Sequence, residues 1–271
     1  MTDPPAAPPP GTPEPSGPAP RSAPAPADPR PGGETGLYDP AYVRALFDEM
    51  SASYERVNTL TSFGFSRRWR RQVVERLAPE PGAVVLDAMT GMGEGWRHLL
   101  PRLGPRGRIV ALDSSPGMLR GARRERERLG AEGVEIVLGD ALATGLEDGS
   151  VDAVLCLFGL KTLSPDQQAR FAVEIARVLR PGGRLALVEV SSPPGRALRA
   201  AYLLYLRQVI PVLGRLLLGN PDNYRMLGRY TERFGDAGPL VPVFASAGLD
   251  VAVLSLFFGC ATGIVGRKPD P

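Results

Sequence analysis

Val84-Val-Leu-Asp-Ala-Met-Thr-Gly-Met-Gly-Glu-Gly95 is the stretch whose reading decides the fold. Apolar residues run into Asp87, and a glycine-rich turn follows. This is the pattern of a strand entering a loop that passes very close to a ligand. Glycine serves there because a Cβ would block the approach or forbid the backbone angles. About twenty residues past the glycines, the spacing expected of such a unit, a second apolar run, Arg108-Ile-Val-Ala-Leu-Asp113, ends in a carboxylate. An acid at the end of the second strand of a Rossmann-like sheet accepts ribose hydroxyls. A nucleoside-containing ligand is implied.

The glycine pattern narrows the choice. A dinucleotide site wants Gly-x-Gly-x-x-Gly/Ala, with a small last residue so that helix and strand pack closely. Gly91 and Gly93 fit, but Trp96 stands in the last position. No Lys-Ser/Thr follows, so the loop is not a P-loop. Glu94 beside the glycines disfavours a polyphosphate. S-adenosylmethionine has no phosphate and carries an ammonium and a sulfonium, which suits Asp87 and Glu94. Read alone, the motif leaves a nicotinamide site or a plain tight turn open.

Composition sets the frame. Residues 1–36 hold 13 of the 29 prolines. Such a segment buries too little apolar surface to offset its ordering entropy, so a disordered Pro/Ala-rich tail is expected. It lacks a basic stretch followed by an apolar one, so it does not read as a signal peptide. The tail carries a net −2 and the whole chain +3, leaving about +5 on the rest. That balance is too diffuse to argue for nucleic acid. The two cysteines, Cys156 and Cys260, have no metal-ligand spacing and suggest a reducing compartment. With His98 the one histidine, a His-based metal site or a Ser-His-Asp triad is excluded. No apolar run is long enough to span a membrane. A cytoplasmic location is expected.

The rest of the chain alternates. Helical spacing covers 41–78, broken at Gly64, and strands are expected at about 82–87, 108–112, 134–138, 151–157 and 184–190. Helices lie between them, one starting at Pro116 and another capped by Ser164 with Pro165 at its first position. Alternation of this kind implies a parallel α/β sheet with right-handed crossovers. Ligands of such sheets sit beyond the C-terminal ends of the strands. Asp87, Asp113, Asp140, Phe158–Thr162 and Glu189–Ser192 all fall there. The expected organisation of 37–271 is one domain. It comprises a helical cap (37–78), a cofactor-binding core (79–190), a substrate lid (191–240) and C-terminal strands (241–268). Leu198–Leu218, rich in Leu, Tyr and Val with Arg199, Arg207 and Arg215 along it, reads either as a core-packing helix or as a lid. A lid would rest on a membrane surface with its arginines toward head groups.

In order and spacing these motifs resemble the ubiquinone/menaquinone biosynthesis C-methyltransferases, a branch of the class I S-adenosylmethionine-dependent methyltransferases. Phe47-x-x-Met-Ser-x-x-Tyr54-x-x-x-Asn58-x-x-x-Ser62-Phe-Gly64-x-x-Arg67-x-Trp69 resembles the family's N-terminal signature. Leu86-Asp-x-x-x-Gly91-x-Gly93 resembles its cofactor loop. Leu112-Asp-x-Ser-x-x-Met-Leu119, Gly139-Asp-Ala141, Phe158-Gly-Leu160, Val178-Leu-Arg-Pro-Gly-Gly183 and Asn223-Tyr-Arg-x-Leu227 follow in order. The resemblance covers roughly residues 44–268. It implies a Rossmann-like fold with a mostly parallel seven-stranded sheet, flanking helices, an N-terminal helical cap and a helical lid insertion. It also implies S-adenosylmethionine held by Asp87, Gly91, Gly93, Glu94, Asp113, Ser114, Asp140, Ala141 and Phe158. Gly159-Leu-Lys161-Thr162 replaces the family's Gly-Leu-Arg-Asn, Gly91-Met-Gly-Glu94 its Gly-Thr-Gly-Asp, and Ile264 a histidine of the last strand.

Carbon methylation of a hydroxylated ring needs the acceptor aligned, water excluded and electron density raised by loss or sharing of a phenolic proton. A cation beside the phenolate favours that charge. Lys161 is the candidate catalytic cation, with Tyr224 and Arg225 helping; the alternative for Lys161 is an exposed lysine after a strand. Asp140 is expected to accept from the adenine amine, with Ala141 behind it, or to be a turn residue. His98 is expected to pack. The acceptor implied is a small apolar aromatic such as a prenylated quinone precursor. Peripheral membrane contact and a homodimer stay open. So do O- or N-methylation of another small molecule and a non-catalytic relic that only binds the cofactor. Phe158-Gly-Leu-Lys161 is not the Asn/Asp-Pro-Pro-Tyr/Phe of exocyclic-amine nucleic-acid methyltransferases.

Overall fold

Successive side chains of a strand point to opposite faces, and here both faces are buried. Val85, Ile109, Ala111, Ala153 and Leu155 join one apolar cluster, while Leu86, Val110, Leu112, Val154 and Cys156 join another. That is why these strands read as unbroken apolar runs. The computed structural model describes residues 35–51, 62, 64–205, 208 and 221–270. The remainder of the tail, Tyr54, Asn58, Arg207 and Arg215 lie outside them.

The strands are β1 (Val84–Ala88), β2 (Arg108–Asp113), β3 (Val134–Leu138), β4 (Val151–Leu157), β5 (Leu179–Val190), β6 (Asp250–Leu256) and β7 (Ala261–Arg267). They form a seven-stranded sheet in the order β3-β2-β1-β4-β5-β7-β6. β1 to β5 run parallel, and β7 is antiparallel to both β5 and β6. The order reverses between β1 and β4, so a crevice opens beyond their C-terminal ends. The fifth strand starts earlier than expected. Leu179 already pairs with Val151, and the register then shifts before Arg184 pairs with Ala153. Gly182, at φ 72°, lets Arg180–Gly183 bulge within the strand instead of ending the pairing.

The helices are α1 (Pro40–Met50), α2 (Phe65–Leu77), α3 (Trp96–Leu103), α4 (Pro116–Leu129), α5 (Pro165–Val178), α6 (Arg196–Leu204), α7 (Pro221–Phe234) and α8 (Leu240–Ser246). Local chemistry sets their ends. Ser115 accepts from Met118 N at the start of α4, with Pro116 in the first turn. Ser164 and Gln167 form a reciprocal capping box on α5. Asp39 caps α1 through Tyr42 N. α2, α3 and the first cluster cover one face of the sheet; Phe171 and Ile175 of α5 and Phe244 of α8 fill the other. A smaller cluster of Leu37, Leu46, Met50 and Tyr230 binds the N-terminal segment to α7, and the Tyr230 hydroxyl donates to Leu37 O at 2.5 Å. Ile264 sits in mid-strand opposite Leu187 and Val253 and is fully buried in the second cluster. The substitution of the family's histidine is thus absorbed by the sheet core.

Candidate active site at the end of β1 and β4

The loop after β1 is fixed from below. Asp87 is buried, and its Oδ2 accepts from Thr90 Oγ1 at 2.5 Å and Trp96 Nε1 at 2.9 Å. Trp96, the residue too large for a dinucleotide fingerprint, lies flat under the loop. A Cβ on Gly93 would come within 2.7 Å of its indole, and Gly93 sits at φ 82°. The tryptophan therefore takes the space that close helix–strand packing would occupy, and it anchors the acid. Asp113 holds the other side, its Oδ2 accepting from Gly91 N at 2.8 Å and its Oδ1 from Ser115 N at 2.9 Å. Two non-glycine residues at positive φ face each other across the switch point, Met89 after β1 (55°) and Phe158 after β4 (70°). Such backbone costs on the order of 1–3 kcal/mol and is held only by well-determined surroundings. A Cβ on Gly159 would meet Met89 Sδ at 2.7 Å, so that close approach fixes Gly159 as glycine.

Two cavities open there. The larger, about 310 Å³, is lined by Leu138, Asp140, Ala141, Leu142 and Tyr38 among others. The smaller is lined by Gly91, Glu94, Asp113, Phe158 and Arg70 among others. Val43, Met89, Ser114 and Thr162 belong to both, so the two form one groove running from β3 across β2 to the β1 and β4 ends. Gly91, Glu94, Asp113, Ser114, Asp140, Ala141 and Phe158 all line it. Asp87 and Gly93 line neither cavity; they act from beneath the loop. Asp140 also makes the turn, its Oδ1 accepting from Leu142 N at 2.9 Å.

Two residues that the sequence reading passed over belong to the site, Asp48 bracing it from behind and Arg70 lining the smaller cavity. Asp48 of α1 accepts from Ser115 Oγ and Gly117 N, both at 2.6 Å, and so clamps the N-terminal helix onto the start of α4. A Cβ on Gly117 would meet Asp48 Oδ1 at 2.7 Å. Arg70 of α2 is buried, lies with its guanidinium carbon 5.1 Å from the Phe158 ring centroid, and reaches Glu94 Oε1 at 3.4 Å. Neither could be placed from local pattern, since each meets residues far along the chain.

Lys161 requires a correction. It falls on the short 3-10 turn Leu160–Thr162, which rolls its side chain back beneath β5. Its ammonium meets Glu189 Oε1 at 2.6 Å and Phe158 O at 3.2 Å, and its backbone N–H donates to Glu189 Oε2 at 3.1 Å. It is 5 % exposed and outside both cavities. It is neither an exposed lysine nor a cation facing an acceptor, because Glu189 already matches its charge. Tyr224 and Arg225 fall on α7, and their side chains lie outside the described residues. His98 lies outside both cavities; burial, then Arg97, Arg67, Arg71 and Arg70, push it toward the neutral form.

The groove is negatively biased. Burial raises the carboxyls of Asp87 and Asp113 to about 6, against their hydrogen bonds, with Glu94 raising both further. Asp87 Oδ1 is buried and accepts from none of the described residues. Three of the loop's N–H groups are taken internally. Gly91 N donates to Asp113, Met92 N to Glu94 and Gly93 N to Thr90 O. Those three are withdrawn from a pyrophosphate, whereas a cationic nucleoside meets the Asp113 carboxylate, which no described cation neutralises. The residues fit S-adenosylmethionine and do not fit a dinucleotide.

Comparison with known proteins agrees. The model of the ubiE/COQ5 methyltransferase family matches residues 36–268. The demethylmenaquinone methyltransferase of Thermus thermophilus is 37% identical over 224 residues, covering 83% of this chain and 100% of that protein. The ubiquinone/menaquinone biosynthesis C-methyltransferase UbiE of Roseobacter denitrificans is 33% identical, covering 78% and 83%. Among solved structures, a SAM-dependent methyltransferase from Aquifex aeolicus superposes with a TM-score of 0.52 at 21% identity, covering 73% of this chain and 89% of that one. That likeness establishes the fold.

Proposed function

From the premise that this chain belongs to the ubiE/COQ5 methyltransferase family, we propose how its groove serves methylation of a quinone precursor at ring carbon. The protein is an S-adenosylmethionine-dependent methyltransferase. When bound, the cofactor supplies an electrophilic methyl group on a sulfonium. Asp140, with Ala141 behind it, receives the adenine end, and Asp113 and Ser114 the ribose. The negative bias beside Gly91 and Glu94 holds the cationic amino-acid end. Val43, Phe47, Leu157 and Phe158 are apolar lining of the smaller cavity and would exclude water and orient an acceptor ring there. The acceptor is a hydroxylated aromatic of the demethylmenaquinone type. The observation that carries this reading is the continuous groove, lined by the carboxylates of Asp113, Glu94 and Asp140 together with apolar side chains.

The free cysteines, both buried, fit a reducing compartment such as the cytoplasm. Among the described residues no helix is long and apolar enough to cross a membrane. Leu198 and Leu204 of α6 are exposed, which supports contact with a lipid surface as the route for a prenylated acceptor. The test supplies methyl-labelled S-adenosylmethionine with demethylated quinol precursors and locates the label. Label on a ring carbon of a lipid-extractable product is expected. Label on oxygen or nitrogen, or only in a water-soluble product, overturns carbon methylation. Tight cofactor binding with no turnover on any precursor favours the relic.

A further inference from the structure

We infer that Arg70 anchors the carboxylate of the cofactor's amino-acid end, with Glu94 taking the adjacent ammonium; this rests on the cofactor reading above. The head of an α-amino acid carries one charge of each sign a few ångströms apart. The Arg70–Glu94 pair offers the opposite charges side by side, N to O at 3.4 Å, on the wall of the smaller cavity. The pair is long and single-pronged, so the two groups are near each other without satisfying each other. A guanidinium has five N–H donors in a rigid fork suited to a carboxylate. Here one reaches Glu94, the guanidinium carbon lies 5.1 Å over the Phe158 ring centroid, and the others donate to no described residue.

Arg70 is also the anchor the loop needs. A carboxylate at a glycine-rich turn is ordinarily held by backbone N–H groups. Those of Gly91, Met92 and Gly93 are occupied within the loop. Glu94 and Asp113 would repel an anion, and Arg70 is the one cation among the described residues that line the smaller cavity. Asp140 and Ser114 set the direction: with adenine beside Asp140 and ribose beside Ser114, the amino-acid end reaches the Arg70 end of the groove.

The experiment compares S-adenosylmethionine with its decarboxylated analogue, S-adenosyl-methylthiopropylamine, by titration calorimetry. It uses the whole protein and the Arg70→Met and Arg70→Lys variants, each checked for an unchanged far-ultraviolet dichroism spectrum. Loss of a charge-assisted pair predicts that Arg70→Met binds S-adenosylmethionine roughly ten- to hundredfold more weakly. Its affinity for the decarboxylated analogue should stay within a fewfold of the wild type. Arg70→Lys should recover part of the loss. Equal loss for both ligands overturns the inference, since Arg70 would then only brace Glu94 and Phe158; so does no loss for either. If the wild type binds neither ligand, the cofactor reading itself falls and takes this inference with it.

Discussion

Asp113 and Glu174 are both drawn out of water, yet their carboxyl groups titrate on opposite sides of the ordinary range. Asp113, at the groove, is raised to about 6 by burial. Glu174, on α5, is held at about 2, chiefly by its hydrogen bonds from Arg177. Arg177 meets both Glu174 oxygens, at 2.7 and 2.9 Å, and Thr144 adds two more donors, so the segment after β3 is stapled to α5. Lys161 and Glu189 repeat the second pattern beneath β5. At Asp87 and Asp113, among the described residues, no cation closes the balance: both carboxylates have only neutral donors. Matched charge holds the frame at Glu174 and Glu189; at Asp113 a carboxylate without a cation lines the groove. Position at a strand end does not separate the two roles, because Glu189 and Asp113 both stand there.

The contrast can be broken most forcefully at its matched side. Glu189→Gln leaves the Lys161 ammonium buried without its counter-ion and should cost about 3–5 kcal/mol of stability in urea unfolding. Adding Lys161→Met removes the stranded charge and should recover most of that loss. A single variant that unfolds like the wild type while losing turnover would return Lys161 to the acceptor. The unmatched side should answer through binding. Asp113→Asn should weaken S-adenosylmethionine binding by about 1.5–3 kcal/mol, the range for bonds to a charged group. The free protein should hold or gain melting temperature, because ionising that carboxyl opposes folding. A stability loss as large as the affinity loss would erase the distinction.

The smallest effect is in pH. The folded Asp87 and Asp113 carboxyls sit near 6, above their ordinary 3.8. Their drag on the free protein therefore builds as pH rises between those values and is complete above the folded one. Glu174 runs the other way: its contribution is whole above 4.5 and fades as pH falls toward 2. A cationic ligand prefers ionised Asp87 and Asp113, so its affinity should drop several-fold between about pH 7 and pH 5.5. Calorimetric titrations at a series of pH values test this, and a flat profile would remove the electrostatic account of the groove.

Much of this was legible in the chain. Parallel strands buried on both faces read as apolar runs, and Gly91, Asp113 and Asp140 at their ends line the groove, while Asp87 and Gly93 lie beneath the loop instead. What could not be read were pairings created by the sheet. Lys161 looked like an available cation because Glu189 stands 28 residues away and reaches it only when β4 and β5 pair. Arg70 meets Glu94 across 24 residues, and Asp48 meets Ser115 across 67. No local spacing encodes these. Trp96 was visible only as a misfit to the dinucleotide pattern. Its size was the signal, since a large residue beside Gly93 requires a loop lifted off the helix.

Trp96 also gives the groove an optical consequence. The chain has two tryptophans. Trp96 carries the Asp87 hydrogen bond, and Trp69 lies 6.4 Å from the Phe158 ring, so the two indoles stand under and beside the same groove. Both are buried. Among the indoles of this protein there is no distant emitter to dilute the signal. Excitation near the red edge of protein absorbance makes the fluorescence of the whole chain a reading of the cofactor loop.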